Sequence, residues 1–385
     1  MPTPGPVRKL FEQTFSSTPT LLARAPGRIE VIGNHTDYNG GSVLGAAIDR
    51  SVDVAFRPRT DSAILLVSDI LPEVVRIDGQ VVPQEGDASW ANYPLGVLVA
   101  LEKRGLKRDH GFELAVTSDV PTGSGLSSSA ALELSSALVL CAHFGLELKR
   151  SELAMACREA ENDFVGMPCG ILDQGVSAFG EKDQLVHIDC RGPDFSTVPM
   201  PPNVHFWIFN THQKHALVES LYSTRHGECM EATAAFKSHD PQIECLADVS
   251  PDHLDRVIDQ LPEDVGKRAR HVVEEIDRVR QASEFFSSGD LDGAGRLLFG
   301  SHESSRLLFE NSTVELDDLI ERLKDQPGVY GARLTGGGFG GAVMAMTDGS
   351  FTMEQALEIC RQYELRFGEK ADTLHVRTAD GAALL

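Results

Sequence analysis

The residues able to do chemistry in this 385-residue chain lie in a few short stretches. The first is Pro121-Thr122-Gly123-Ser124-Gly125-Leu126-Ser127-Ser128-Ser129-Ala130-Ala131. Its glycines let backbone N–H groups converge with no Cβ in the way. A helix beginning at its end adds unpaired N–H groups and the positive end of a dipole. Together these make an anion cradle, most often for phosphate, and the serines add hydroxyls for phosphate oxygens or a metal ion. Taken alone, the loop can equally be an N-capped helix after a flexible turn. A second glycine-rich stretch runs from Gly331 through Gly336-Gly337-Gly338-Phe339-Gly340-Gly341 to Val343. Glycine at this density costs backbone entropy, so something must need a close approach. Asp173 stands among apolar Cys169, Ile171 and Leu172, and an acidic residue in such a setting needs a partner or a function. Glu161 closes the preceding helical pattern. His35 and Asp37 share a polar loop just after Arg28. Taken singly, a carboxylate near a helix start is ordinarily a dipole or capping feature, and polar groups in a turn ordinarily solvate it.

The elements that must hold these residues follow from periodicity. Phe112, Leu114 and Val116 alternate with Glu113, Ala115 and Thr117, which predicts a half-buried strand over Gly111 to Val120. The Ala/Leu-rich run from Ala131 to Leu146 predicts a helix, so the first glycine loop joins strand to helix. Upstream, a short helix is expected around Val7 to Phe15, strands over Arg28 to Ile32 and Ser51 to Phe56, and a tight turn at Asn39-Gly40. Trp90 to Leu101 is the first helix of any length. Ser151 to Phe164 is another, with Ser151 as N-cap, broken at Gly166 to Gln174. The pattern changes near Asp189. A short apolar strand, Val204 to Asn210, precedes amphipathic patterns over Ala216 to Lys237, Pro251 to Leu261, Gly266 to Ser287 and Leu291 to Leu308, each with charge interleaved as on solvated helix faces. Val314 to Lys324 is a further helix, before the second glycine loop and a short apolar strand. The expected division is residues 1–189 and 190–385, since a chain this long usually exceeds one core.

Composition narrows the function. A net charge of −22 argues against nucleic acid and anionic membranes as partners. No apolar run approaches a membrane span, and Met1 to Thr20 has no signal-peptide core. Seven dispersed cysteines without CxxC spacing suit free thiols in a reducing compartment, so the cytoplasm is expected. The chain has no GxxxxGK[ST] loop and no HRD or DFG sequence. Gly336 to Gly341 does not lead from a strand into a helix, which weakens a dinucleotide-binding reading.

Three separated segments together resemble the galactokinases, of the galactokinase–homoserine kinase–mevalonate kinase–phosphomevalonate kinase superfamily. They are Pro26-Gly27-Arg28 through His35-Thr36-Asp37-Tyr38-Asn39, the loop Pro121 to Ala131, and Leu334 to Gly341. Further matches, such as Gly166 to Gln174 and Tyr222 with Arg225, extend the resemblance over nearly the whole chain. It implies a two-lobed α+β sugar-kinase fold, with a ribosomal-protein-like N-terminal domain and a ferredoxin-like C-terminal domain closing the cleft. It implies an ATP-dependent sugar 1-kinase, converting galactose to galactose 1-phosphate. By position, Asp173 matches the base that takes the anomeric proton, and Arg28 the arginine that pairs with it and stabilises charge on the phosphoryl group. Ser129 and Glu161 match ligands of Mg²⁺, both hard oxygen donors. Asn34, His35, Thr36, Asp37, Asp173 and Tyr222 match the sugar site. Gly123, Ser124, Gly125, Leu126, Ser127, Ser128 and Ser129 match the triphosphate cradle, and Ser68 and Trp90 lie where nucleotide contacts would fall. The enzyme would be a monomer or small homo-oligomer.

The sequence departs from the family at one informative place. The family reads Arg-Val-Asn-Leu-Ile-Gly-Glu-His where this chain reads Arg28-Ile29-Glu30-Val31-Ile32-Gly33-Asn34-His35. Asn and Glu have exchanged places, and the family's glutamate at position 34 is expected to bond the sugar's 6-hydroxyl. Three functions therefore stay open: a galactose kinase, a kinase for a related hexose such as N-acetylgalactosamine or galacturonate, and a catalytically silent galactose- and ATP-binding regulator. The intact loop with Arg28, Glu161 and Asp173 favours an enzyme.

Overall fold

The computed structural model describes residues 5–385 other than 72, 122, 202 and 215–217, with the side chains of 214 and 218–220 also outside the description. Its N-terminal lobe carries α1 (Gly5–Phe15), β1 (Leu21–Ile32), β2 (Ser42–Pro58), β3 (Ile64–Ser68), β4 (Val75–Ile77), α2 (Asn92–Lys103), β5 (Phe112–Ser118), α3 (Ser128–Phe144), α4 (Arg150–Glu159), α5 (Leu172–Phe179), β6 (Gln184–Asp189) and β7 (Asp194–Pro199). Beyond these lie β8 (His205–Lys214), α6 (Val218–His239), α7 (Pro251–Val257), α8 (Glu263–Ser288), α9 (Leu291–Ser304), α10 (Val314–Lys324), β9 (Val329–Thr335), β10 (Gly340–Thr347), α11 (Met353–Phe367), β11 (Asp372–Val376) and β12 (Ala383–Leu384).

The larger sheet runs β12-β1-β2-β5-β3-β4, with β6 and β7 branching from β2. The β6–β7 hairpin keeps the chain in this sheet to Pro199, past the division expected at residue 189. The last strand, β12, returns from the far end of the chain to pair with Ala23 and Arg24 of β1. Strand β5 is buried on both faces. Leu114 and Val116 pack toward the main core, while Ala115 sits with Val7 and Phe11 of α1 on the other side. Its alternation suggests one wet face, but α1 covers that face.

The second sheet has the order β11-β8-β10-β9, all antiparallel. With helices in both crossovers this is the β-α-β-β-α-β arrangement of ferredoxin-like domains. Strand β8 shows how the lobes join. Trp207 and Phe209 face α10 and α11, while Phe206 and Ile208 face the main core, which continues into the N-terminal lobe. Helices α6, α7 and α8 close a separate cluster around Phe236, Leu254 and Val272. Helix α10 begins as its sequence predicts: Thr313 caps it by accepting from Leu316 N–H, with Glu315 and Asp317 in the first turn. The pattern over 216–237 forms α6, although residues 216 and 217 lie outside the described residues.

Candidate active site

Arg28 is carried by β1, which packs against α3, α5 and β9. Its Nε and Nη2 donate to the same oxygen, Oδ1, of Asp173, at 2.8 and 2.5 Å, and its Nη1 donates to Gly125 O at 2.5 Å. The other oxygen, Asp173 Oδ2, accepts from Ser127 Oγ. Asp173 lies in the first turn of α5, with about a quarter of its side chain exposed, whereas Arg28 is nearly enclosed. One guanidinium thus ties the carboxylate to the backbone of the glycine-serine loop. That loop is laid against β1, because Arg28 N–H bonds Leu126 O, and a Cβ on Gly27 would meet that same oxygen at 2.7 Å. Ser127 takes a left-handed φ of 56° before α3 begins.

Glu161 sits where α4 widens into a single π-helical stretch, Ala160–Val165. The sequence predicts one regular helix to Phe164. Composition does not register a change of hydrogen-bond step, and such bulges concentrate at functional sites. The widened turn brings Glu161 to the start of α3, close enough for the Ser129 hydroxyl to favour its ionised form. Gln174 Nε2 bridges Glu161 Oε2 (2.6 Å) and Glu133 Oε2 (3.0 Å). Burial, reinforced by the charge of Asp173, pushes the Glu161 pKa up to about 7, although Ser129, Gln174 and Cys169 act to lower it. Glu133 is fully buried, and burial drives its pKa well above the carboxylate range. Glu133 escapes the sequence reading, although a lone acid inside the Ala/Leu run of α3 is the same signal that exposes Asp173.

Arg28 and Asp173 border a cavity of about 320 Å³ between the lobes, closed on one side by the second glycine loop. A Cβ on Gly336 would lie 3.8 Å from Gly125 O, so the two glycine loops face each other. Gly338 has φ +81° and a Cβ there would meet Asn311 O at 2.4 Å. Arg28, Glu30, Asn34, His35, Asp37, Asp173 and Tyr222 all line this cavity. Thr36 does not. It is fully buried, its hydroxyl against Gly33 O (2.8 Å) and Ser42 O (2.7 Å), so it shapes the turn.

The wall residues differ in what they leave free. His35 Nε2 reaches Gly337 O at 3.1 Å and its Nδ1 lies 2.9 Å from Tyr38 Oη. A carbonyl can only accept, so the Nε2–H donates and Nδ1 accepts from the tyrosine. Burial lowers the His35 pKa to about 3, so the ring is neutral and positions the second loop. Asp37 accepts from Tyr38 N–H at 2.9 Å; burial, with Glu30 and Asp173 adding to it, raises its pKa to about 7. Gly170 must be glycine, because a Cβ there would fall 1.6 Å from Asp37 Oδ2. The backbone N–H groups of Gly33 and Asn34 donate to Glu275 Oε1 of α8, at 3.1 and 3.2 Å.

A second hollow of about 270 Å³ lies on the other side of the α3 start, bordered by Ser68, Trp90, Tyr93, Ser128 and Ser129. It is largely apolar, as an aromatic base requires, and Ser128 and Ser129 place it next to the glycine-serine loop.

The galactokinase galactose-binding signature matches residues 9–58, the GHMP kinases N terminal domain residues 92–181, and the GHMP kinases C terminal region residues 281–364. A galactokinase of Roseiflexus sp. (strain RS-1) is 38% identical over 378 residues, covering 98% of this chain and 96% of the relative. The structure of Lactococcus lactis galactokinase complexed with galactose superposes with a TM-score of 0.94 at 35% identity, covering 98% of this chain and 99% of that one. The chain belongs to the galactokinase family. It is a kinase, a phosphotransferase acting on a sugar hydroxyl. A mevalonate kinase structure at 16% identity and TM-score 0.64 shares the fold alone.

Proposed function

We propose that the chain transfers the γ-phosphoryl group of ATP to the anomeric hydroxyl of galactose, giving galactose 1-phosphate and ADP. The observation that carries this reading is the Arg28–Asp173–Ser127 cluster, set where the sugar-sized cavity meets the glycine-serine loop. Asp173 accepts the proton as the anomeric oxygen attacks. Arg28 fixes the direction of its carboxylate and places positive charge beside the group in transfer. Backbone N–H groups of residues 123–129 cradle the phosphates, and the hollow at Ser68 and Trp90 takes the base. Positioning and electrostatic stabilisation supply most of the catalysis in such transfers.

The donor set fits Mg²⁺. Glu161 is a buried carboxylate beside Ser129, Gln174 and Cys169, with no ion pair to a basic side chain among the described residues. Ser129 and Glu161 would hold the ion, which when bound neutralises phosphate charge. An enzyme of this kind works where ATP and free sugar meet, in the cytoplasm.

ATP consumption measured against galactose, N-acetylgalactosamine, galacturonate and glucose tests the reading. The highest kcat/KM is expected for galactose. Preference for another hexose would overturn the substrate and keep the kinase. Saturable sugar binding without ATP consumption would make the chain a sensor.

A further inference from the structure

The polar atoms on the cavity wall differ in what already satisfies them. The Asn34 amide is committed inside the protein. Its Nδ2 donates to Glu30 Oε1 (3.0 Å) and Gly336 O (2.8 Å), and its Oδ1 accepts from Asn311 Nδ2 (2.8 Å) and Ser305 Oγ (3.4 Å). Two donors and two lone pairs are thereby used. Both nitrogens of His35 are taken as well. Glu30 is different. Its Oε1 takes the Asn34 amide and lies 3.0 Å from Nη1 of the fully buried Arg333, while Oε2 bonds no described residue. Glu30 is 4% exposed and lines the cavity. Oε2 is not one of the sealed, partnerless atoms, as Glu133 Oε1 is, so it keeps a little exposure, and the direction from which a donor can reach it is the cavity.

We propose that Glu30 is the specificity-determining carboxylate of this site, its free Oε2 accepting from a hydroxyl on the side of the sugar ring opposite the anomeric carbon, O4 or O6. The assignment deepens the galactose reading and rests on it. Placement follows from the strand. The register of β1 against β2 is unbroken from Arg28 to Glu30, and residues i and i+2 of a strand share a face roughly 6.6 Å apart. Arg28 holds Asp173 at the reacting hydroxyl, so Glu30 stands about one pyranose width away along the same wall. Asn34, between Glu30 and Asn311, is the wedge that orients the carboxylate. The same charge disfavours a sugar that carries a carboxylate at C6.

The test compares kcat/KM for galactose, 4-deoxygalactose and 6-deoxygalactose in the wild type, E30Q, E30D and N34A. One deoxy sugar should be poorer than galactose by about tenfold or more in the wild type, the scale of a hydrogen bond to a charged group. In E30Q that ratio should shrink to about fivefold or less, the scale of a neutral hydrogen bond, and the sugar showing it identifies O4 or O6. E30D keeps the charge beside Arg333 but withdraws it by one methylene, so it guards against a folding failure in E30Q and should give an intermediate ratio. N34A should lower all three sugars by a common factor. Equal losses on all three in both Glu30 variants, or a collapsed ratio in N34A alone, would overturn the assignment while wild-type galactose turnover leaves the substrate reading standing. A wild type that does not turn over galactose would remove the substrate reading, and this assignment with it.

Discussion

Asp173 and Asp37 face one cavity and make opposite demands on it. Asp173 has both oxygens held by donors, and removing its charge should act on chemistry more than on binding. D173N is expected to lower kcat by about a hundredfold or more, the scale of losing a general base, with the galactose KM changed little; a near-wild-type single-turnover rate would remove Asp173 from that role. Asp37 is held at a pKa of about 7, against 3.8 for a free aspartate. Its folded-state pKa is raised, so its contribution to stability is full below about pH 4 and lost as pH rises through 7. D37N should therefore be more stable to unfolding than the wild type at pH 8, by an increment on the order of 2–4 kcal/mol, and equally stable near pH 4. Galactose binding should move the other way, because the charged form accepts hydroxyl protons best. Calorimetric titration should show wild-type affinity rising from pH 6 to 8 and that of D37N flat and weaker. Asp173 is legible in the sequence because a charge interrupts an apolar string. The inward turn of the Asn34 amide is not legible, because its partners Ser305, Asn311 and Gly336 lie some three hundred positions away.

The elements matter for where they aim these groups. The π-helical stretch at Ala160–Val165 inserts one residue's worth of rotation after α4, and Glu161 meets the first turn of α3 on account of it. Periodicity finds the helix but not its widening, since apolar spacing is insensitive to one lengthened hydrogen-bond ring. Magnesium titrations of E161Q should show a midpoint raised by about tenfold or more, since a charged oxygen ligand becomes a neutral one, with the galactose KM much less affected. An unchanged midpoint would make Glu161 a structural partner of Gln174. The glycine loops were legible as loops because no other residue type tolerates such density. Their facing each other was not, because it depends on the packing of β1 against β9.

At the scale of the whole molecule, the lobes are joined through the turn after β1. Glu275 on α8 accepts from two backbone N–H groups of that turn and from Ser301 Oγ (2.6 Å), and pairs with Arg278 (2.6 Å). Burial alone would raise its pKa, yet Arg278, His271 and Arg333 together with these bonds hold it down to about 2. A depressed acid contributes stability that is present above about pH 4.5 and lost as pH falls toward 2. E275Q should destabilise the protein at pH 7 by about 3–5 kcal/mol, the scale of breaking a buried ion pair, and by progressively less in urea melts between pH 4.5 and 2. A constant difference across that window would mean that packing, not charge, sets the loss. The switch between strand-rich and helix-rich patterning was legible along the chain, whereas the two-lobed α+β fold came from the family resemblance. The pattern change was read near residue 189, and β6 and β7 of the first sheet lie on either side of it. Strand β12 was invisible, since two residues, Ala383 and Leu384, carry no period.

That short strand also has a consequence in time. The edge of β1 at Ala23 and Arg24 is completed by residues 383 and 384, so the ribosome makes one of the earliest strands long before its partner. At about 5–20 residues per second, roughly 20–70 s pass between the two. Through that interval the nascent chain carries an apolar strand with unpaired N–H and C=O groups along this edge, a template on which neighbouring chains can pair. Soluble yield of this kinase should therefore depend on how quickly translation reaches residues 383 and 384.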